Sequence, residues 1–435
     1  MAAKTKIFLL ILIGVLLYLP LLQTQLNFFD PIPLKGAIAE VKKPVFKLST
    51  WFAGEFSDSS ENYLNNHFGF RESFIRLNNE MLFRFFNKAK AKDVIIGKEG
   101  YLFEKNYIKA FNGDDFKGYD SLQLMVNKLK FLQDTLKKLN KDLLIVLAAG
   151  KGTYFSEYFP ENYAGKESDQ TNYKVLKTLL NESQINTIDF NDYFLKIKHT
   201  AKYPLYPQYG IHWSSYSMCL AADSIISYIE KLRNIHIPHL KWDSISIEQP
   251  KESDYDIGDG MNLMHRLKSY NMAYPKVYFE NDIGKTKPSV LVISDSYYWG
   301  MFNLGISENA FRDSHFWYYN YEVYPDSYKS PLIASAVNLK DEIRKRDVII
   351  IMATEANLSK FGWGFIDRAY ETFSKEYEYS VRNPEFMRKV NSLIEYIRTD
   401  KKWLEDIKLK ADKNGVSLDS MLFLDAAWQI KNVGR

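Results

Sequence analysis

Cysteine is nearly absent. Cys219 stands alone among 435 residues, which excludes an internal disulfide and any multi-cysteine metal site. The seven histidines are scattered; His236 and His239 flank Pro238 with no acid between them, so no ligand set of metal-binding spacing forms. No dense basic block occurs, and a formal charge of +4 on a chain of this length is too small to argue for nucleic acid. Ala149-Gly150-Lys151-Gly152 lacks the length of a phosphate loop. The composition thus implies no cofactor, no metal and no nucleic-acid partner. At 435 residues the chain exceeds the usual single core of about 250–300, so one main domain with appendages is expected.

Charge is missing most conspicuously near the start. After Lys4 and Lys6, Ile7 opens an apolar run, and no charged residue appears until Asp30. A stretch of that kind approaches the roughly 20 residues that cross a bilayer. The preceding lysines favour a cytoplasmic amino terminus, and no small-x-small cleavage site follows, so residues 1–29 are expected to be an uncleaved anchor. The rest would then lie on the outer side of the cytoplasmic membrane. Pro31, Pro33 and Pro44 mark a tether that, with a helical lead-in and a hairpin over Val94–Phe103, occupies residues 30–110. In the lead-in, Phe74, Leu77, Met81, Leu82 and Phe85 recur at helical spacing on one face.

Alternation of strands and helices follows. Leu143–Leu147, Ile185–Asp189, Leu291–Ile293 and Val348–Met352 read as strands; Leu124–Leu139, Tyr173–Leu180 and Ser214–Leu232 read as helices. This predicts an α/β domain over 111–380, with a mostly parallel sheet flanked by helices and its site at the strands' carboxyl ends. Residues 381–435 are expected to form a helical tail around Trp403 and Trp428.

Two distant segments make most sense as halves of one site. Val290-Leu291-Val292-Ile293-Ser294-Asp295-Ser296 is a buried parallel strand that ends abruptly in small polar residues, and it delivers Ser296 to the edge of a sheet. A serine hydroxyl is a poor nucleophile until an imidazole takes its proton. Gly210-Ile211-His212-Trp213-Ser214 offers such an imidazole in His212. Asp295 is expected to hold the turn.

The order of several short blocks resembles the SGNH-hydrolase-like proteins of the alginate O-acetyltransferase family. These blocks are Asn66–Arg71, Val94–Phe103, Lys151–Pro160, Ile211–Ser214 and Ser294–Tyr297. The resemblance implies an SGNH/flavodoxin-like fold and O-acetylation of a cell-surface or secreted polysaccharide. It matches the catalytic serine to Ser296 and the catalytic histidine to His212, with the histidine first in the chain. It also implies a membrane-bound O-acyltransferase partner that supplies the acyl group, and a polysaccharide acceptor. Lys151, Tyr154, Trp213 and Tyr297 fall in its blocks and, with Trp317 of the aromatic run Phe316–Asn320, are the candidate substrate-binding residues.

One departure is serious. Gly210 stands where the family's orienting aspartate belongs. Glu355, just beyond the Val348 strand, has the best topological argument as a replacement, because strand carboxyl ends converge on the site. Asp256 and Asp259 lie in a loop and are the alternatives, and His315 is a reserve base. A carbohydrate esterase would use the same residues with water as acceptor, and a non-catalytic polysaccharide-binding member would explain Gly210 as a lost acid.

Overall fold

The computed structural model describes residues 2–36, 41–165, 168–382, 384–414 and 418–432. Residues 37–40 of the expected tether, and 383, 415–417 and 433–435 of the expected tail, lie outside them. Ten strands are described: β1 (Val94–Ile96), β2 (Leu102–Glu104), β3 (Asp142–Ala148), β4 (Thr187–Asp189), β5 (Leu240–Glu248), β6 (Met272–Phe279), β7 (Ser289–Ser294), β8 (Arg312–Tyr318), β9 (Glu322–Tyr324) and β10 (Val348–Thr354). Six of them build the central sheet in the order β4-β3-β10-β7-β8-β9. The first five run parallel, and β9 closes the edge antiparallel to β8.

The strands' aliphatic runs are explained by burial on both faces. Leu144 and Val146 of β3, Val290 and Val292 of β7 and Ile350 of β10 join one hydrophobic cluster with the helix Ser215–Arg233. Their neighbours Leu143, Ile145, Leu291, Ile293, Ile349 and Ile351 point the other way, into a second cluster under Tyr119–Lys138 and Phe365–Arg382. Each such buried side chain stabilises the fold by roughly 1.5–3 kcal/mol. The chain leaves β3 towards β4 and leaves β7 towards β8, so the connections diverge on either side of β10. A crevice at the carboxyl ends of the strands results from that divergence.

Three features lie outside the central sheet. Among the described residues one helix, over Lys4–Leu26, is long and apolar enough to cross a membrane, with mean hydropathy 2.4. Helices Pro384–Thr399, Lys401–Asn414 and Leu418–Asn432 enclose a small core of their own around Val390, Ile397, Ile407 and Leu422. β5 and β6 form a separate antiparallel pair between Ser215–Arg233 and β7. The sequence reading missed that pair, because β5 alternates polar and apolar residues and is largely exposed.

The lead-in helix forms over Arg71–Phe86. Its apolar stripe does not face the core: Phe74 is 47% exposed, Leu77 48%, Met81 49% and Phe85 77%.

Candidate active site

Ser296 follows β7 in a tight turn held by Asp295. That carboxylate is fully buried. Its Oδ1 accepts the Tyr297 N–H (3.1 Å), and its Oδ2 accepts from the Thr354 N–H (2.9 Å), the Thr354 hydroxyl (3.0 Å) and the Asn357 amide (2.9 Å). The turn that presents the serine is therefore tied to the end of β10. A carboxylate satisfied by this many donors is a structural anchor.

His212 sits just before the helix Ser215–Arg233, whose amino end is capped by Ser214 accepting from the Ser217 N–H (3.2 Å). The cap fixes where the preceding chain enters. The stretch before His212 is held from several sides. Lys151 Nζ donates to the carbonyls of Gln208 (2.8 Å) and Gly210 (2.6 Å), and the Tyr297 hydroxyl donates to Ile211 O (2.6 Å). The Gly258 N–H also reaches Tyr209 O (2.9 Å). As a result, His212 Nε2 stands 2.9 Å from Ser296 Oγ.

The acid on the far side of the imidazole is Asp256. Its Oδ2 lies 2.6 Å from His212 Nδ1, while its Oδ1 accepts the N–H groups of Ile211 (2.9 Å) and Ile257 (2.7 Å). Burial works against the imidazolium, but the hydrogen bond and charge of Asp256 outweigh it, so His212 is held above its ordinary value. This line of groups lets the imidazole accept the serine proton while the carboxylate holds the other nitrogen protonated.

Gly210 explains why the acid comes from there. A Cβ at 210 would lie 2.5 Å from Ser253 O and 2.8 Å from the carbonyl carbon of Asp254. The segment that carries Asp256 passes against the bare backbone of Gly210, and a side chain there would push it away.

Glu355 does not orient His212, which corrects the sequence expectation. Its carboxylate turns towards β3 and accepts both the N–H (2.9 Å) and the hydroxyl of Thr153. It lies so close to Gly150 that a Cβ there would come within 2.2 Å of Oε1. Burial pushes its carboxyl up to about 7, against the opposing effect of the Thr153 bonds. The topological argument placed it at the correct sheet edge and could not say which way its side chain points.

The expected substrate contacts divide. A cleft of about 500 Å³ opens beside Ser296 and His212, bordered by Trp213, Tyr297, Met218, Trp299 and Leu304 and, from β6, by Tyr274, Pro275 and Val277. A volume of that size suits a small organic substrate. Trp213 and Tyr297 border it, although both are largely buried and pack edge-on with ring centroids 5.1 Å apart. Lys151 does not reach substrate: it is fully buried, and burial pushes its ammonium down to about 7. Tyr154 is 5% exposed and lies against Tyr206, with centroids 4.8 Å apart. Trp317 is buried on the opposite face of the sheet against Phe365, because neighbouring β8 residues alternate faces. Trp299, two residues beyond Tyr297, and Tyr274 of β6 are cleft aromatics that the sequence reading missed. His315 pairs with Glu342 (2.7 Å) and Arg346 (2.9 Å) and is no reserve base for Ser296.

Residues 94–279 match the family model "SGNH hydrolase-like domain, acetyltransferase AlgX". Over residues 94–279 the chain is similar to an SGNH hydrolase-like domain. The match includes His212 and Asp256 and stops short of Ser296. Among solved structures, the O-acetyltransferase domain of Pseudomonas putida AlgJ is similar at 12% identity and TM-score 0.43, over 64% of this chain and 99% of that one. Pseudomonas aeruginosa AlgX gives 13% and 0.41, over 63% and 67%. Bacillus cereus PatB1 gives 12% and 0.38, over 62% and 98%. No curated protein sequence matches the chain.

Proposed function

We propose that this chain is a membrane-anchored O-acetyltransferase that carries an acetyl group on Ser296 and passes it to a hydroxyl of a cell-surface or secreted polysaccharide. The observation that carries the proposal is the unbroken line from Ser296 Oγ through His212 to Asp256, with spacings of 2.9 and 2.6 Å. In the first half-reaction Ser296 Oγ attacks the donor's acyl carbon as its proton moves to His212 Nε2. The oxyanion is met by the Ser296 backbone N–H, and collapse expels the donor's leaving group, which takes the proton. In the second, His212 takes the proton of a sugar hydroxyl, that oxygen attacks the acyl-serine, and Ser296 Oγ is regenerated with the returned proton. Asp256 holds Nδ1–H and steadies the imidazolium formed in each half.

The half-buried rings of Trp299 and Tyr274 in the cleft wall support a sugar acceptor, since ring faces pack on pyranose surfaces. The apolar helix over Lys4–Leu26 supports a signal anchor with the domain on the outer side of the cytoplasmic membrane; a membrane-bound acyltransferase would there supply the acyl group. The Asp256 carboxylate beside His212 supports the catalytic reading over the non-catalytic one that Gly210 suggested.

The test is the intact mass of the full-length protein in detergent after incubation with p-nitrophenyl acetate. One acetyl group is expected on the wild type and none on Ser296→Ala. Deacetylation accelerated by an oligosaccharide and not by water alone identifies a transferase. Adducts on neither protein, or on both, refute the assignment of Ser296.

A further inference from the structure

The helix Arg71–Phe86 is amphipathic the wrong way round for a soluble protein. Phe74, Leu77, Met81 and Phe85 fall within one narrow stripe at 100° per residue, and that stripe is exposed. The opposite side faces the domain: Asn79 Nδ2 donates to Met261 O (3.0 Å), Arg76 donates to Leu263 O (3.2 Å), and between them Phe83 packs against the core. The helix is thus fixed to the domain by Arg76, Asn79 and Phe83, while a second apolar stripe of Phe74, Leu77, Met81 and Phe85 is turned out. Large exposed apolar stripes of this kind mark an interaction surface.

What covers the stripe follows from where the helix begins. The turn just before it rests on the carboxyl end of the apolar amino-terminal helix. The Gly69 N–H donates to Thr24 Oγ1 (2.7 Å), and a Cβ at 69 would lie 2.4 Å from Pro20 O. The Phe70 ring also meets Phe29, centroids 6.2 Å apart. At 1.5 Å per residue, Pro20 and Thr24 stand about 20–26 Å along the helix from Ile7, near the outer boundary of a hydrocarbon layer about 30 Å thick. An amphipathic helix starting at that depth finds the lipid headgroup region within reach of its apolar face.

We propose that Arg71–Phe86 lies in the outer leaflet interface of the bilayer with Phe74, Leu77, Met81 and Phe85 in lipid, and so fixes the height and tilt of the catalytic domain. The proposal rests on the reading of Lys4–Leu26 as a membrane span.

The test uses the full-length protein in phosphatidylcholine–phosphatidylglycerol vesicles, labelled with a nitrobenzoxadiazole dye at Leu77→Cys, Phe85→Cys, Leu10→Cys in the span, or Lys329→Cys on the exposed domain surface. The native thiol of Cys219 is 1% exposed, and burial pushes it up to about 12, so the dye goes to the introduced cysteine. With acyl-chain spin-labelled lipid, dyes at positions 10, 77 and 85 are expected to lose about half or more of their emission, and the dye at 329 to keep it. Quenching at 10 with none at 77 and 85 overturns the interfacial helix and leaves the span. No quenching at 10 overturns the span and this inference with it. Dyes at 77 and 85 shielded from aqueous iodide yet untouched by the lipid quencher show that protein covers the stripe, which also overturns the proposal.

Discussion

Replacing Asp256 by asparagine isolates the orienting role of the acid with almost no change of shape. Oδ1 of Asp256 accepts two backbone N–H groups, from Ile211 and Ile257. Asparagine keeps those bonds only if its carbonyl oxygen takes the same place. Its amide N–H group then faces His212 Nδ1, where Asp256 Oδ2 stood at 2.6 Å. A donor there forces Nδ1 to accept, so the imidazole proton moves to Nε2 and points at Ser296 Oγ. The base is then blocked by its own hydrogen. Serine-protease precedent sets the loss at roughly 10⁴-fold, or about 5.5 kcal/mol of barrier at 1.36 kcal/mol per decade. The assay is burst release of p-nitrophenolate from p-nitrophenyl acetate, with circular dichroism to verify that the fold survives. A rate within about tenfold of wild type would refute Asp256 as the orienting acid.

Other outcomes follow from the same geometry. Glu355→Gln keeps an acceptor for Thr153 and does not touch His212, so acylation should change by less than about tenfold; a loss as large as that of Asp256→Asn would restore Glu355 to the imidazole. Catalysis needs neutral His212, whose value is raised, so the acylation rate should climb with pH along a limb lying above the ordinary imidazole value of about 6.5. A limb below that value contradicts the Asp256 contact. Gly210→Ala places a Cβ against the Ser253–Asp254 backbone and should cost about 1–3 kcal/mol in urea unfolding, with a slower acylation; an unchanged midpoint and rate would refute the packing argument. Lys151 is lowered from 10.5 to about 7 in the folded chain. Between those values the unfolded chain binds the proton and the folded one does not, so this group makes stability rise with pH across that window. Lys151→Met should flatten that rise in pH-dependent unfolding and, by leaving the Gln208 and Gly210 carbonyls unpaired, cost about 1–3 kcal/mol.

The sequence was legible where one residue type answers one environment. Runs such as Val290–Ile293 and Val348–Met352 read as strands because both faces of the sheet are covered and no polar residue is tolerated. Ser296 and His212 were legible because each sits at the end or start of such an element. Asp256 ranked only as an alternative there, because its bond to His212 joins residues 44 apart and no local pattern records such a contact. Lys151 was misjudged for the opposite reason: its type suggests solvent, and only the two carbonyls that face it explain its burial. In the helix Arg71–Phe86 the periodicity gave the stripe and said nothing of what the stripe faces.

The excursion from Leu240 to Phe279 behaves as a cassette. It leaves the sheet once and returns carrying Asp256 together with the cleft wall of Tyr274, Pro275 and Val277. Basicity and selectivity thus travel on one piece of chain. A graft of this segment between related domains would transplant both at once, and reshaping the wall would register in the titration of His212 as well as in the choice of ligand.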